Sequence, residues 1–315
     1  MSYYRSRAFS ESTKENYASH LSAYVKFCNH IGQVPRPHDT QQNLRFLAHI
    51  SQKLRYSSLS QYANIIRLLN IEQGLHNPLQ SWPIQSFMQG VKRSKGNAPR
   101  RKLPITPALL LRIQRLMDFS KPSNRVLWAA YLMSFFTLLR KSNIVPPSQA
   151  KFDSKRQPCR SDLRRARQGF VLHIKETKTI QFKERDLLLP IPYLPRHPLC
   201  PTTALIAVLA LLPTAPPSTP LFAYPAYDGL HVLTQAALSR HLKEHLRCIG
   251  VDPTVYSAHS FRRGGASWAL QCGMPGELIQ VLGDWRSDCY QKYLQLDVST
   301  KFTLLSPFSK NLPTL

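Results

Sequence analysis

Four side chains near the C-terminal end of the chain have the types that phosphoryl chemistry uses: His259, Arg262, Trp285 and Tyr293. A guanidinium grips two phosphate oxygens at once. An imidazole moves a proton near neutral pH. A phenol can be a covalent nucleophile. His259 and Arg262 stand three residues apart, one helical turn, so a helix places them on one face. Taken alone, H-x-x-R is a weak signal, and a capping histidine beside a surface arginine is its ordinary meaning. Three residues add to it: Arg140 after a long apolar run, Lys178 in a predicted hairpin turn, and Tyr293 itself. Each alone has a bland role: a cation at a helix C-terminus, an exposed turn lysine, and an aromatic of an amphipathic helix.

The whole chain suits a polyanionic substrate. Its 315 residues include 42 Lys and Arg against 17 Asp and Glu, a net charge of +25. Such a surface attracts polyanions, and nucleic acid is the first partner to consider. An anionic membrane is the rival, but no long basic amphipathic helix lacks core positions. The N-terminal residues MSYYRSRAFSESTKENY hold no apolar signal-type segment. No run reaches the ~18 apolar residues of a membrane helix. A soluble, intracellular protein is expected. Six cysteines (Cys28, Cys159, Cys200, Cys248, Cys272, Cys289) show no C-x-x-C spacing and read as free thiols.

With 43% hydrophobic residues, the chain can fill real cores, and its length favours two domains. Apolar positions at helical spacing predict four helices in residues 1–91: one from Ser10 or Ser12 to Gly32, then Gln41–Leu54, Ser58–Gln73, and one around Ile84–Val91. Joined by short polar loops, they make a small bundle. Residues 92–102, KRSKGNAPRRK, carry six Lys or Arg in eleven positions and read as a basic linker. Lys92, Arg93, Lys95, Arg100, Arg101 and Lys102 are its candidate DNA-backbone contacts, with a solvated hinge as the alternative. Beyond it, Thr106 caps a helix to about Met117, and Arg125–Leu139 reads as a buried helix ending before Arg140. Residues 151–168 are polar and basic. The period then shifts to two, predicting a hairpin from Phe170–Lys175 and Arg185–Ile191 with Lys178 in its turn. A buried helix over LCPTTALIAVLALL, a polar helix Thr234–Cys248, and helices Ser260–Cys272, Gly276–Leu282 and Asp288–Leu296 complete residues 103–298, with a polar tail at 299–315. The fold class is mainly α with a small β-hairpin or sheet.

The order Arg…Lys…His-x-x-Arg…(His or Trp)…Tyr resembles the tyrosine recombinases, or phage integrase family. LLRKSNIVP, TKTIQFKER, LCPTTAL, HSFRRGGASWA and GDWRSDCYQKYL are similar to the eukaryotic Crypton and DIRS-like mobile-element branch. The resemblance spans nearly the whole chain. It implies a helical core-binding domain at 1–91 and an integrase-type catalytic domain at 103–298, together a C-shaped clamp on duplex DNA.

The resemblance further implies that Tyr293 attacks a phosphodiester to form a 3′-phosphotyrosyl bond and free a 5′-hydroxyl. His259 would be general base, Arg140 and Arg262 would hold the non-bridging oxygens, and Lys178 would protonate the leaving 5′-oxygen, with Lys175 and Lys183 as competitors. Arg263 is expected to be a backbone clamp or solvated. No metal or other cofactor is called for. Four protomers on two DNA sites, with a Holliday-junction intermediate, and a nuclear location are also implied. Two departures stand out: Asn143 replaces the family's frequent Glu, and Asp284 holds the place after Leu-Gly where His or Trp is usual. A carboxylate would repel a phosphate, so Asp284 is expected to turn away while Trp285 packs against the site. Tyr290, three residues before Tyr293, is the rival nucleophile. His241, Glu244 and His245 match a zinc-type H-x-x-E-H pattern, but no distal ligand accompanies them. The alternatives to recombination are a domesticated, non-catalytic DNA-binding protein with the same fold and, less favoured, a relaxing topoisomerase.

Overall fold

The computed structural model describes residues 8–96, 101–177, 180, 187–292 and 294. Contacts divide the chain into two units, Met1–Arg100 and Arg101–Leu315.

The first unit is a bundle of α1 (Glu11–His30), α2 (Thr40–Ser51), α3 (Tyr56–Glu72) and α4 (Trp82–Lys95). Ser10 caps α1 by accepting from the Thr13 amide, and Asp39 caps α2 by accepting from the Gln41 and Gln42 amides. The core comprises Tyr24, Phe27, Cys28, Phe46, Leu47, Leu59, Ala63, Ile65, Ile66 and Ile84. Several polar groups enclosed there find partners: Tyr24 donates to Gln42 at 2.8 Å, and Asn43 and Asn70 both donate to the Pro37 carbonyl through their side-chain amides. Helix α4 runs past Val91 to Lys95, so Lys92, Arg93 and Lys95 are helical and do not belong to a linker. Lys95 donates to the carbonyls of Ser51 and Leu54, closing the end of α2, and Lys92 lies over the Tyr56 ring at 5.7 Å. Tertiary contacts with these neighbours extend the helix through a charge run that reads locally as a hinge.

The second unit is built around α6 (Pro122–Phe136), whose residues from Val126 to Phe135 are all buried. Before it come α5 (Pro107–Gln114), and after it β1 (Leu163–Ala166), β2 (Gly169–Ile174) and β3 (Leu187–Pro192), an antiparallel sheet in the order β1-β2-β3. Helix α7 (Pro201–Leu209), the β4–β5 hairpin (Ala223–Ala226, Gly229–Val232), α8 (Gln235–Cys248), α9 (His259–Gln271) and α10 (Gly276–Leu282) follow. Strands β1, β4 and β5 escape sequence reading. LRRA lacks apolar alternation, and Pro225 argues against a strand that its hairpin partner nonetheless pairs. Helix α6 stops three residues short of Leu139, because Leu138 adopts φ 55°. Arg140 therefore stands beyond the helix end, where it opens the next turn. Asp288–Lys292 is a 3₁₀ turn rather than the start of an α-helix.

Helix α9 presses into the core on a surface made of glycine. A Cβ on Gly264 would lie 1.8 Å from the Ile105 carbonyl oxygen, and one on Gly265 would lie 1.9 Å from that of Phe135. This close approach lets the Ile105 amide donate to the Ser260 carbonyl at 2.9 Å and seats α9 beside the end of α6. Gly264→Ala must force backbone apart rather than bend a side chain. We expect it to destabilise the second unit by at least ~1–3 kcal/mol, read as a lowered urea midpoint with the slope unchanged.

Candidate active site

Three segments converge where α6 ends. The first is the turn that carries Arg140, the second is α9 with His259, Arg262 and Arg263, and the third is the Gly283–Trp285 corner after α10. Arg262 joins them. Its side chain is 1% exposed, and its guanidinium donates to the Leu138 carbonyl and, at 2.7 Å, to the Gly283 carbonyl. The Trp285 ring covers it, with its centroid 3.7 Å from Cζ. Gly283 permits this stacking, since a Cβ there would collide with the Trp285 ring at 1.7 Å.

A second set of bonds ties in the far end of β2. Asn143 is 4% exposed and donates to the Glu176 carbonyl at 2.9 Å. The Thr177 hydroxyl donates to Asp284. Asp284 thus turns inward, 1% exposed, and takes φ 52°. The contacts close into a ring: Arg262 to Leu138, along the chain to Asn143, across to Glu176 and Thr177, across to Asp284 and Gly283, and back to Arg262. Sequence reading singled out Arg262 and Trp285 as functional groups but gave Thr177 no role. The odd Asp284 was the visible signal, because a carboxyl beside Leu-Gly needs a donor if it is enclosed.

His259 opens α9 with an exposed side chain, and its backbone amide bonds the Ser257 hydroxyl at 3.3 Å. Neighbouring atoms nevertheless crowd the ring. Desolvation first, then the charges of Arg262, Arg140 and Arg263, hold its pKa at about 4 instead of 6.5. The imidazole is therefore neutral and able to accept a proton across the neutral range. Arg140 is half-buried. Arg263 is 5% exposed, which corrects the solvated alternative of its two expected roles. From Ser260 to Ser267 every residue of α9 is buried, so both arginines are enclosed by the packing of that helix.

The competing candidates separate. Lys175 is held by Asp162 at 2.8 Å and by the Ser154 carbonyl. Tyr290 is buried in a cluster with Leu138, Ala266, Ile279 and Trp285. His241 pairs with Glu244 at 2.9 Å, whereas His245 faces the Tyr131 hydroxyl. Among the described residues, no three metal-ligating side chains gather. Lys102 donates to the Thr254 carbonyl, and Arg101 is exposed. Lys178, Lys183, Tyr293 and Arg100 lie outside the described residues.

The architecture is that of the integrase catalytic domains, mainly helical with small antiparallel sheets. It matches the Tn1549 transposon integrase in complex with transposon right-end DNA, at TM-score 0.61 and 14% identity over 96% of this chain and 95% of that one. It likewise matches a lambda integrase tetramer bound to a Holliday junction, at TM-score 0.60 and 14% identity over 93% of this chain and 74% of that one. In sequence, an integrase/recombinase XerD homolog of Selenomonas ruminantium is 23% identical over 266 residues, 83% of this chain and 74% of the relative. No family model matches the chain. The chain is thus similar in sequence to an integrase/recombinase and in fold to integrases. No described helix is long and apolar enough to cross a membrane.

Two outcomes test this geometry. Unfolded, His259 binds its proton near 6.5, and folded near 4, so the unfolded chain holds more protons between those values. Stability is therefore lost as pH falls through that window, and His259→Gln should flatten the loss. An NMR titration of the His259 ring should place its midpoint near 4. Separately, Arg262→Met removes the donor from two carbonyls, at a cost of about 1–3 kcal/mol for each one left unpaired. Arg262→Lys should rescue little of the thermal stability, because an ammonium cannot reproduce the planar fork stacked on Trp285.

Proposed function

We propose that this chain cleaves and rejoins DNA strands through a tyrosine–phosphate link, as a site-specific recombinase or integrase. The observation that carries the reading is a neutral, exposed imidazole in the field of three guanidiniums, on the integrase fold. That field draws a phosphate in. A bound phosphate's negative charge then opposes the guanidiniums and raises the basicity of His259 where a proton must be taken up.

In the proposed reaction, the Tyr293 phenolic oxygen attacks phosphorus and its proton passes to His259. The bond from phosphorus to the 5′-oxygen breaks, and that oxygen takes a proton from Lys178. Arg140, half-buried beside the ring of contacts, grips the non-bridging oxygens. Arg262 is proposed to hold those oxygens together with Arg140. Its guanidinium also donates to two carbonyls beneath Trp285, which keeps the Arg140 turn in place. The phosphotyrosyl bond conserves the energy of the phosphodiester, so a 5′-hydroxyl from another strand reverses the steps and rejoins it.

The net charge of +25 supports duplex DNA as the partner, and residues 96–102 together with the exposed end of α4 offer backbone contacts. Four protomers on two sites, affinity with the Crypton and DIRS-like branch, and a nuclear location extend the reading. They are supported by the motifs from LLRKSNIVP to GDWRSDCYQKYL.

A nicked suicide duplex, drawn from a random-sequence pool, tests the proposal. Wild type should yield a DNA–protein adduct that survives denaturant and disappears with protease, and Tyr293→Phe should yield none. Tight DNA binding without any adduct from wild type would overturn it.

A further inference from the structure

We infer that Asp284 is a positioning residue for Lys178: by accepting the Thr177 hydroxyl, it holds Thr177 and, through it, Ile180, which flank residues 178 and 179 in the sequence. The inference rests on the reading of Lys178 as the general acid.

Thr177 works in two directions. Its hydroxyl donates to Asp284 and accepts from the Ile180 amide at 3.0 Å, while its own amide donates to the Ile180 carbonyl at 3.2 Å. Thr177 and Ile180 are thus clasped together, with residues 178 and 179 between them in sequence. Ile180 is fully buried in the main core, and the preceding carbonyl, of Glu176, is held by Asn143. Asp284 joins this clasp to the corner whose Gly283 carbonyl receives Arg262. Thr177 and Ile180 are therefore referenced to the same frame as Arg140 and His259.

The need for such a frame is physical. A lysine ammonium is a point donor on a flexible four-carbon stem, so its aim depends on where its backbone is held. A reacting group misplaced by about 1 Å loses on the order of a hundredfold in rate. Asp284 also occupies a backbone region that few residues other than glycine adopt, with φ 52°, and Asp is one of those that tolerate it. That conformation, with the side chain 1% exposed, directs the carboxyl inward onto the hydroxyl.

The test compares two leaving groups. One nicked duplex, recovered from the random pool by wild-type adduct formation, is made with an ordinary 5′-oxygen at the cleaved bond. A second carries sulfur in place of that oxygen and leaves as a thiolate without needing a proton. Asp284→Ala and Thr177→Val should cleave the oxygen substrate about tenfold to a hundredfold more slowly and the sulfur substrate at near the wild-type rate. Lys178→Ala should show the same pattern, and Thr177→Ser should restore cleavage of the oxygen substrate. Equal losses on both substrates, or a Thr177→Val variant as fast as wild type on oxygen, would overturn the inference. Amide exchange supplies a readout that needs no DNA: Ile180 protection should fall in Asp284→Ala and Thr177→Val, and unchanged protection counts against the clasp. A wild-type chain that forms no adduct on either substrate refutes the recombinase reading instead, and the exchange result still decides the clasp.

Discussion

The second unit depends on one enclosed guanidinium. Arg262 lies at the crossing of α9, the end of α6 and the corner after α10, donating to a carbonyl of each of the last two segments beneath an indole. A buried arginine is unfavourable unless its donors are used and its charge is accommodated. Its planar fork reaches both carbonyls at once, a geometry that an ammonium cannot reproduce. Leu138 and Gly283 each give up regular structure to offer those carbonyls: one has φ 55°, and the other tolerates a ring where a Cβ would be. Helix α9 can deliver the guanidinium there because two glycines let it approach the backbone of Ile105 and Phe135.

The same arrangement sets the electrostatics. Two arginines enclosed on α9, with Arg140 nearby, concentrate positive charge next to an imidazole that remains accessible. The imidazole answers by staying neutral. A site that attracts an anion and presents a neutral proton acceptor follows from packing as much as from residue type. The carboxyl of Asp284, which would oppose an anion if directed at it, is instead bonded to a threonine hydroxyl.

The bundle of the first unit shows the same economy in milder form. Its core is apolar except for a small set of amides and one phenol, and these converge on Gln42 and the Pro37 carbonyl. They fix how α1, α2 and α3 pack while leaving the outer faces to charge. Lys95 shows how such a surface can mislead: read locally it belongs to a basic hinge, yet its ammonium closes the end of α2.

The helices of both units were legible in the sequence because burial imposes a period of 3.6 and their ends carry Ser10, Asp39, Thr106 and Thr234 as caps. So was the β2–β3 pairing, through its alternation. The residue types for phosphoryl chemistry were legible too, because their order along the chain is itself the signal. Strands β1, β4 and β5 were not, since pairing with a neighbour, rather than local preference, makes them strands. Nor could the sequence say that Arg263 is enclosed, that α6 ends before Leu138, or that Asp284 meets Thr177 from 107 positions away. Sequence by itself determined which groups are present and which helical faces are apolar, because those follow from short-range periodicity. The tertiary structure alone decided which groups are shielded from water and which donor each enclosed acceptor receives, because those partners are brought together only when distant segments pack.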